Sequence, residues 1–532
     1  MKRMYQWILA AIFVCGASAL TSCGGSSSSD SPINPITPDE PKMADYAILF
    51  YGYGGGNLDY DILNNIRQFY AATSASYDKV KIAVQYKFSS QEDFQKLLDY
   101  NPADYVDPEQ RAEVEKYLAV MAPWVEKWRD KCNYTFRFTV NPKMKMEQQM
   151  VADNIHGNNN DHLAFADSLT SFINWATKAC PAKHYVLLLS DHGRGYMPNE
   201  EPVYNPANAT RAFIFDYAKN EMLTMTELKF AVDNASVKPQ VIYFDACLMN
   251  CLEYMFELRN STEYIIASAF LVPGLGGDYT TLTNQLANCN EDIESALKGY
   301  NKACVERWDR SYGGPSVESF FDMTVIRTRG LDGFGQKVRS FNDKLLQAYQ
   351  SSTTVQQDID DITANSLMKI CKELPLYDLF VYDLLLASRV PELEAPYFEM
   401  KECYDRDCIV SHQTSAYLSA QGILGSVLIG WEGQYEDITW DSDINGWYID
   451  QRVVYKPDGT ALNYDKTDNI IGQANWGGTL AGTYEQSAFD KATGWSRWIK
   501  ANKQRPATMS VFTAGYNPNE PRMIHDLNKE KI

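Results

Sequence analysis

The sequence predicts an α/β fold in which a mainly parallel central sheet is covered by helices on both faces. Three observations carry this. Short, continuously apolar runs at residues 46–51 (YAILFY), 80–84, 185–189 and 241–244 have the length and character of strands buried on both sides. Between them, residues 57–69, 109–128 and 161–179 show helical spacing, so strands and helices alternate. The composition of the 532-residue chain, 45% hydrophobic and 22% charged, is that of ordinary globular protein with enough length for a large core.

The elements follow in order. A basic start (Lys2, Arg3), an apolar run from Trp7 to Val14 and Leu20-Thr21-Ser22-Cys23 form a secretory signal. Its apolar part is too short for a permanent membrane span. Leu-Thr-Ser-Cys resembles a bacterial lipobox, which implies cleavage before Cys23 and a lipid on that thiol. Residues 24–30 are rich in Gly and Ser, and Pro32, Pro35, Pro38 and Pro41 follow, so 23–43 reads as a lipidated Cys and a tether. The strand at 46–51 runs into Gly52-Tyr53-Gly54-Gly55-Gly56, a loop. Pro123 marks a kink point in the 109–128 helix. Residues 134–140 alternate as a strand, 226–232 read as a helix, 248–258 as another, and 264–269 as a further strand. Beyond residue 330 the pattern changes. Residues 334–349 and 367–404 read as mostly helical, and β-type runs at 423–429, 447–455 and 509–513 dominate from 416 on. The expected organisation is therefore a signal peptide (1–22), a tether (23–43), an α/β domain (44–330), a mostly helical extension (331–415) and a C-terminal β-rich region (416–532).

Charge and cysteine content narrow the partners. The formal charge is −19, and loss of Lys2 and Arg3 with the signal makes the mature chain more acidic still. No basic face for nucleic acid is available. Of 11 Cys, those beyond Cys23 number nine, with no CxxC pair for zinc. In an exported protein Cys403 and Cys408, or several more distant cysteines, are candidates for a disulfide, and the odd count permits a free thiol.

Two strand ends carry the chemistry. The run at 185–189 delivers Ser190-Asp191-His192-Gly193-Arg194-Gly195, and the run at 241–244 delivers Asp245-Ala246-Cys247-Leu248-Met249. In open parallel sheets, sites form at the carboxyl ends of strands. A Cys beside a helix N-terminus gains thiolate character. If the two strands are neighbours, His192 and Cys247 face one another, and a Cys paired with a His is an activated nucleophile. The other histidines lack this context: His156 lies in an Asn-rich stretch, His162 begins a helix, His184 precedes its strand, and His412 and His525 are distal.

These segments resemble the clostripain family of cysteine peptidases, whose signature is a strand ending in His-Gly followed by a strand ending in Asp-Ala-Cys. Residues 268–279 (SAFLVPGLGGDY) and the opening strand and loop resemble the family as well, so the likeness covers about 44–330. It implies a caspase-like α/β/α sandwich and a cysteine endopeptidase acting on protein or peptide. His192 and Cys247 would be the catalytic dyad, with an acyl-enzyme intermediate and an oxyanion held by the backbone N–H groups of Gly193 and Cys247. No cofactor or metal is needed for that chemistry. Some relatives respond to Ca²⁺; the turn Asp441-Ser442-Asp443-Ile444-Asn445-Gly446 lacks the later Glu of a calcium loop.

The resemblance also implies Arg or Lys at P1 and Asp245 as a pocket acid, the alternative being a structural carboxylate. Phe270 and Leu275 stand where acidic or polar residues are expected, and Asp278 is a candidate replacement, so an apolar P1 competes. The interval between the His and Cys segments holds Arg211 and Lys219, and self-cleavage would fall most readily at Arg211, after a Pro/Asn-rich stretch. The functional expectation is a lipid-anchored cysteine endopeptidase of the bacterial cell envelope, on the periplasmic or surface side of the outer membrane. The competing expectation is a catalytically silent binding protein on the same scaffold, favoured by the altered pocket residues and the Trp- and Tyr-rich distal part.

Overall fold

The computed structural model describes residues 43–502, apart from 55–57, 89–94, 96–97, 100, 107, 129–134, 153–165, 194, 196–212, 217–220, 224, 318, 366–368, 372–373, 421–427, 431–437, 442–445, 450–453, 456–460 and 463–486. The signal, Cys23 and the tether, Arg211, His156, His162, His525 and the strand expected at 509–513 lie outside the described residues.

Strands follow in chain order: β1 (Ala44–Tyr53), β2 (Val80–Lys87), β3 (Thr135–Thr139), β4 (Ala182–Ser190), the hairpin β5 (Phe213–Asp216) and β6 (Glu221–Leu223), β7 (Val241–Asp245), β8 (Tyr264–Ala267), β9 (Asp322–Arg327), β10 (Lys369–Cys371), β11 (Leu374–Asp378) and β12 (Ile409–Thr414). Eight of them form one sheet in the order β12-β9-β8-β7-β4-β1-β2-β3. The central run β2-β1-β4-β7-β8 is parallel, and β3, β9 and β12 are antiparallel edge additions. The strand order reverses between β1 and β4, which sets a switch point beside the end of β4.

The pleat sorts side chains into two cores. On one face Leu49, Tyr51, Leu187, Leu189, Ile242 and Phe244 pack with helices Ala166–Ala179, Met225–Asn234 and Leu252–Leu258. On the other, Ile48, Phe50, Val186, Leu188 and Tyr243 pack with helices Asp59–Phe69, Tyr279–Asn288 and Ile293–Tyr312. Side chains at i and i+2 share a face, so a continuously apolar strand must be buried on both. The result is an α/β/α sandwich.

Residue 330 is not a boundary in this structure. Residues 43 onward cluster as one compact unit. β12, beyond 330, pairs with β9 of the main sheet. Helix Leu331–Tyr349 buries Leu331, Phe334, Val338, Phe341 and Leu345 in the same core as β4 and β7. The expected β-rich C-terminal region holds the hairpin Ile438–Asp441 with Gly446–Ile449, but it also contributes helices Ala488–Thr493 and Trp495–Ala501. Trp495 and Trp498 are fully buried, and Phe489 meets Phe256 edge-on at 5.3 Å. A strand pair and a helix face shared across the expected boundary are worth more burial together than apart, which is why the pattern change at 330 marks no separate domain. The stretch 367–404, read as helical, holds β10 and β11 before helices Leu379–Arg389 and Glu394–Cys403. Cys403 and Cys408 are free thiols, not a disulfide.

A chain truncated after Gly330 would leave β9 with an open edge and strip apolar cover from the face that holds helix Leu252–Leu258. It is expected to be insoluble or to melt without a cooperative transition. A soluble product with a sharp thermal transition would restore the boundary.

Candidate active site

The geometry starts from the register of β4 and β7. The parallel pairing sets Val186 opposite Val241 and ends with Ser190 opposite Asp245. Both chains continue past the sheet edge by two residues to reach His192 and Cys247. The two are half-buried and follow equivalent last positions of adjacent strands. His192 donates its backbone N–H to the Asp191 carboxylate at 2.6 Å, a contact that fixes the turn on which the imidazole sits.

Gly193 lies against the backbone of residue 247. A Cβ there would come within 2.3 Å of the Cys247 carbonyl oxygen, 2.9 Å of Ala246 Cβ and 3.0 Å of the Cys247 nitrogen. Only glycine permits this approach. The His segment and the Cys segment are thus in direct backbone contact, not merely on one side of the molecule.

Cys247 does not open a helix. The following helix begins at Leu252, with Cys251 at its N-cap. Residues 247–250 form a separate turn in which Leu248 has φ +62°. A left-handed Leu costs on the order of 1–3 kcal/mol and persists only where surrounding contacts hold it. Here those contacts are the Leu248 N–H donating to the Phe270 carbonyl at 2.9 Å and the Asn250 N–H donating to the Ser268 carbonyl at 2.8 Å. Direct dipole support from the helix therefore weakens as a source of thiolate character, since the thiol stands more than a turn ahead of it. The local donor to sulfur is the Val272 N–H, 3.3 Å from Cys247 Sγ. Sequence patterning gave no signal for Val272, because its contribution is a backbone N–H.

The four residues expected to shape the substrate pocket fall into different environments. Asp245 points to the face opposite Phe244; its Oδ2 accepts from the Gly277 N–H at 3.1 Å and from the Tyr279 hydroxyl. Burial pushes its carboxyl pKa up, against the Tyr279 and Gly277 hydrogen bonds that pull it down. Asp245 Oδ1 has no hydrogen-bond partner among the described residues. Phe270 is fully buried in the core, and its backbone is pinned at both its N–H and its carbonyl. Leu275 is half-buried and packs on the core of the opposite face. Asp278 caps helix Tyr279–Asn288, taking the Thr281 N–H at 2.9 Å and its hydroxyl at 2.8 Å, so both carboxylate oxygens are occupied. A carboxylate that the sequence did not single out, Asp61, lies flat against Gly274, with its atoms 3.0 Å from where a Cβ would stand. Desolvation raises its pKa to about 6. Its position at the start of a helix that folds over the 273–277 loop could be read only from the sheet order.

No curated protein matches this chain. A family model described as the clostripain family matches residues 132–385. Among solved structures, the chain is similar to a secreted C11 cysteine protease from Bacteroides thetaiotaomicron, called iotapain, at 16% identity, with 85% of this chain and 100% of that chain covered and a TM-score of 0.50. It also aligns with an inactive zymogen C11 protease from Parabacteroides distasonis at 15% identity, with 85% of this chain and 99% of that chain covered and a TM-score of 0.45. At such identities the likeness to iotapain speaks for the fold. Among the described residues, no helix is long and apolar enough to cross a membrane. The family match spans both strand ends described above, so the part of the chain that carries them, residues 132–385, matches a family of cysteine-type peptidases.

Proposed function

We propose that the chain is an exported, lipid-anchored endopeptidase in which Cys247 is the nucleophile and His192 its base. The observation that carries this reading is the backbone contact between Gly193 and Cys247 at the ends of two paired strands. His192 takes the thiol proton, and Cys247 Sγ bonds to the scissile carbonyl carbon, opening the C=O to an oxyanion. Collapse breaks the C–N bond, and the leaving amine takes the proton from His192. Water, deprotonated by His192, then adds to the thioester; the carboxylate product leaves and the thiol is restored. The Gly193 and Cys247 N–H groups are the proposed oxyanion donors, in a site where a side chain at 193 would obstruct both.

A preference for Arg or Lys at P1 is supported by two carboxylates near the Cys247 turn. Asp245 Oδ1 is buried without a hydrogen-bond partner among the described residues, and Asp61 is held at a raised pKa beside Gly274. A buried carboxylate oxygen in that condition gains from an incoming guanidinium or ammonium group. Lipid attachment at Cys23 rests on the lipobox, places the enzyme in the cell envelope and is tested by the mobility and mass of Cys23→Ala. Self-cleavage at Arg211 is proposed as an activating step and is tested by comparing gel mobility with Cys247→Ala; one uncut band in both removes it.

A fluorogenic peptide library varied at P1 tests the central reading. Wild type is expected to hydrolyse substrates with Arg or Lys at P1, and Cys247→Ala to show none. Equal activity in the two would remove Cys247 from the chemistry, and an apolar preference would remove the acidic pocket. Gly193→Ala keeps its N–H, but its Cβ would push the two segments apart, and it is expected to lower kcat by on the order of 10²-fold, as for displacement of a reacting group. Steady-state kinetics showing wild-type kcat in a folded Gly193→Ala would contradict the proposed oxyanion site.

A further inference from the structure

We propose that Asp322 is a positioning residue for the nucleophile: from the first position of β9 it holds the loop that seats the Cys247 turn. This rests on the assignment of Cys247 as nucleophile above.

Asp322 is fully buried. One oxygen, Oδ1, accepts three donors from a single turn: the Ser268 hydroxyl at 2.7 Å, the Ala269 N–H at 2.8 Å and the Phe270 N–H at 3.2 Å. That turn in turn supplies the two carbonyls that receive the N–H groups of Leu248, the left-handed residue after Cys247, and of Asn250. A few residues on, the same loop provides the Val272 N–H at the sulfur. The carboxylate therefore stands one hydrogen-bonded layer beneath the nucleophile and organises both segments that touch it.

A second limb reaches the same turn. Asn250 Nδ2 donates to Thr324 Oγ1 at 3.3 Å, and Thr324 Oγ1 shares a hydrogen bond with His412 Nδ1 at 2.9 Å. Thr324 lies two residues after Asp322 on the same face of β9, and His412 sits opposite Thr324 on β12. The extension beyond residue 330 thus closes the brace.

Burial favours the neutral form of both titratable groups in the brace. Burial pushes the Asp322 carboxyl up to about 7, with the Ser268, Ala269 and Phe270 hydrogen bonds opposing it, and pushes the His412 imidazole down to about 4. Near pH 5–6 neither carries charge, so the 3.8 Å approach of His412 Nε2 to Asp322 Oδ2 is not an ion pair there. What matters at Asp322 is an acceptor at Oδ1, which a carboxamide can replace. Displacing a reacting group by about 1 Å is enough to cost on the order of 10²-fold in rate.

The test compares Asp322→Asn, Asp322→Ala and Thr324→Val in the full chain. Each is read for kcat and KM on the best peptide from the library and for labelling of Cys247 by an electrophilic peptide. Asp322→Asn is expected to keep kcat within about threefold of wild type. Asp322→Ala should lower kcat and the labelling rate by on the order of 10²-fold with KM within about threefold. Thr324→Val, nearly isosteric, should lower kcat by about three- to tenfold, and it decides the test if Asp322→Ala fails to fold, wild-type kcat then overturning the proposal. A folded Asp322→Ala with wild-type kcat and labelling overturns the proposal, and so does an Asp322→Asn as impaired as Asp322→Ala. If wild type itself shows no labelling at Cys247, the nucleophile assignment fails first and the proposal falls with it.

Discussion

The parallel pairing of β4 with β7 is the constraint on which the rest of the site depends. Apolar side chains on both faces of each strand lock the register, since a slip of one residue would carry every side chain to the wrong layer. With Ser190 opposite Asp245, the next two residues of each chain must emerge side by side at the carboxyl edge. Gly193 then allows the two segments to touch, and no larger residue would. Position is thus set by the core, and the loops have only to preserve it.

The loops preserve it with buried hydrogen bonds more than with charge. Asp245 ties the end of β7 to the Gly277–Tyr279 segment on one face, and Asp322 ties the Ser268–Phe270 turn to β9. Trp308, fully buried, adds an indole N–H to the Gly276 carbonyl at 2.8 Å, which fixes the far end of the 270–277 loop. A buried carboxylate with several donors is costly to form but specific in geometry, because each donor lost leaves an unsatisfied group behind. The strained Leu248 bend is held at the junction of these contacts.

The parts of this arrangement that were legible in the sequence are those written in local pattern. The strands of the central sheet follow from continuous apolar runs, and 185–189 and 241–244 fall inside β4 and β7. His192 and Cys247 stand out because each lies a few residues beyond the end of such a run. The start of the helix after Cys247 was placed too early, at 248, because the apolar residues Leu248 and Met249 extend the helical spacing into a turn whose shape is set by tertiary hydrogen bonds. Phe270 and Asp278 stand out only through the family resemblance, which puts them at pocket positions. Burial of one and helix capping by the other depend on partners that only the fold brings close. For the same reason Asp61 and Asp322, distant in sequence from both strand ends, carried no signal.

The central claim is that adjacency at the sheet edge makes Cys247 and His192 one chemical unit. Its most direct measurement is the pH dependence of Cys247 alkylation by iodoacetamide in wild type and in His192→Ala. An interacting pair predicts that wild-type reactivity persists well below the ordinary thiol range near pH 8.5, and that the variant follows a single titration close to it. Superimposable profiles in the two proteins would contradict the account.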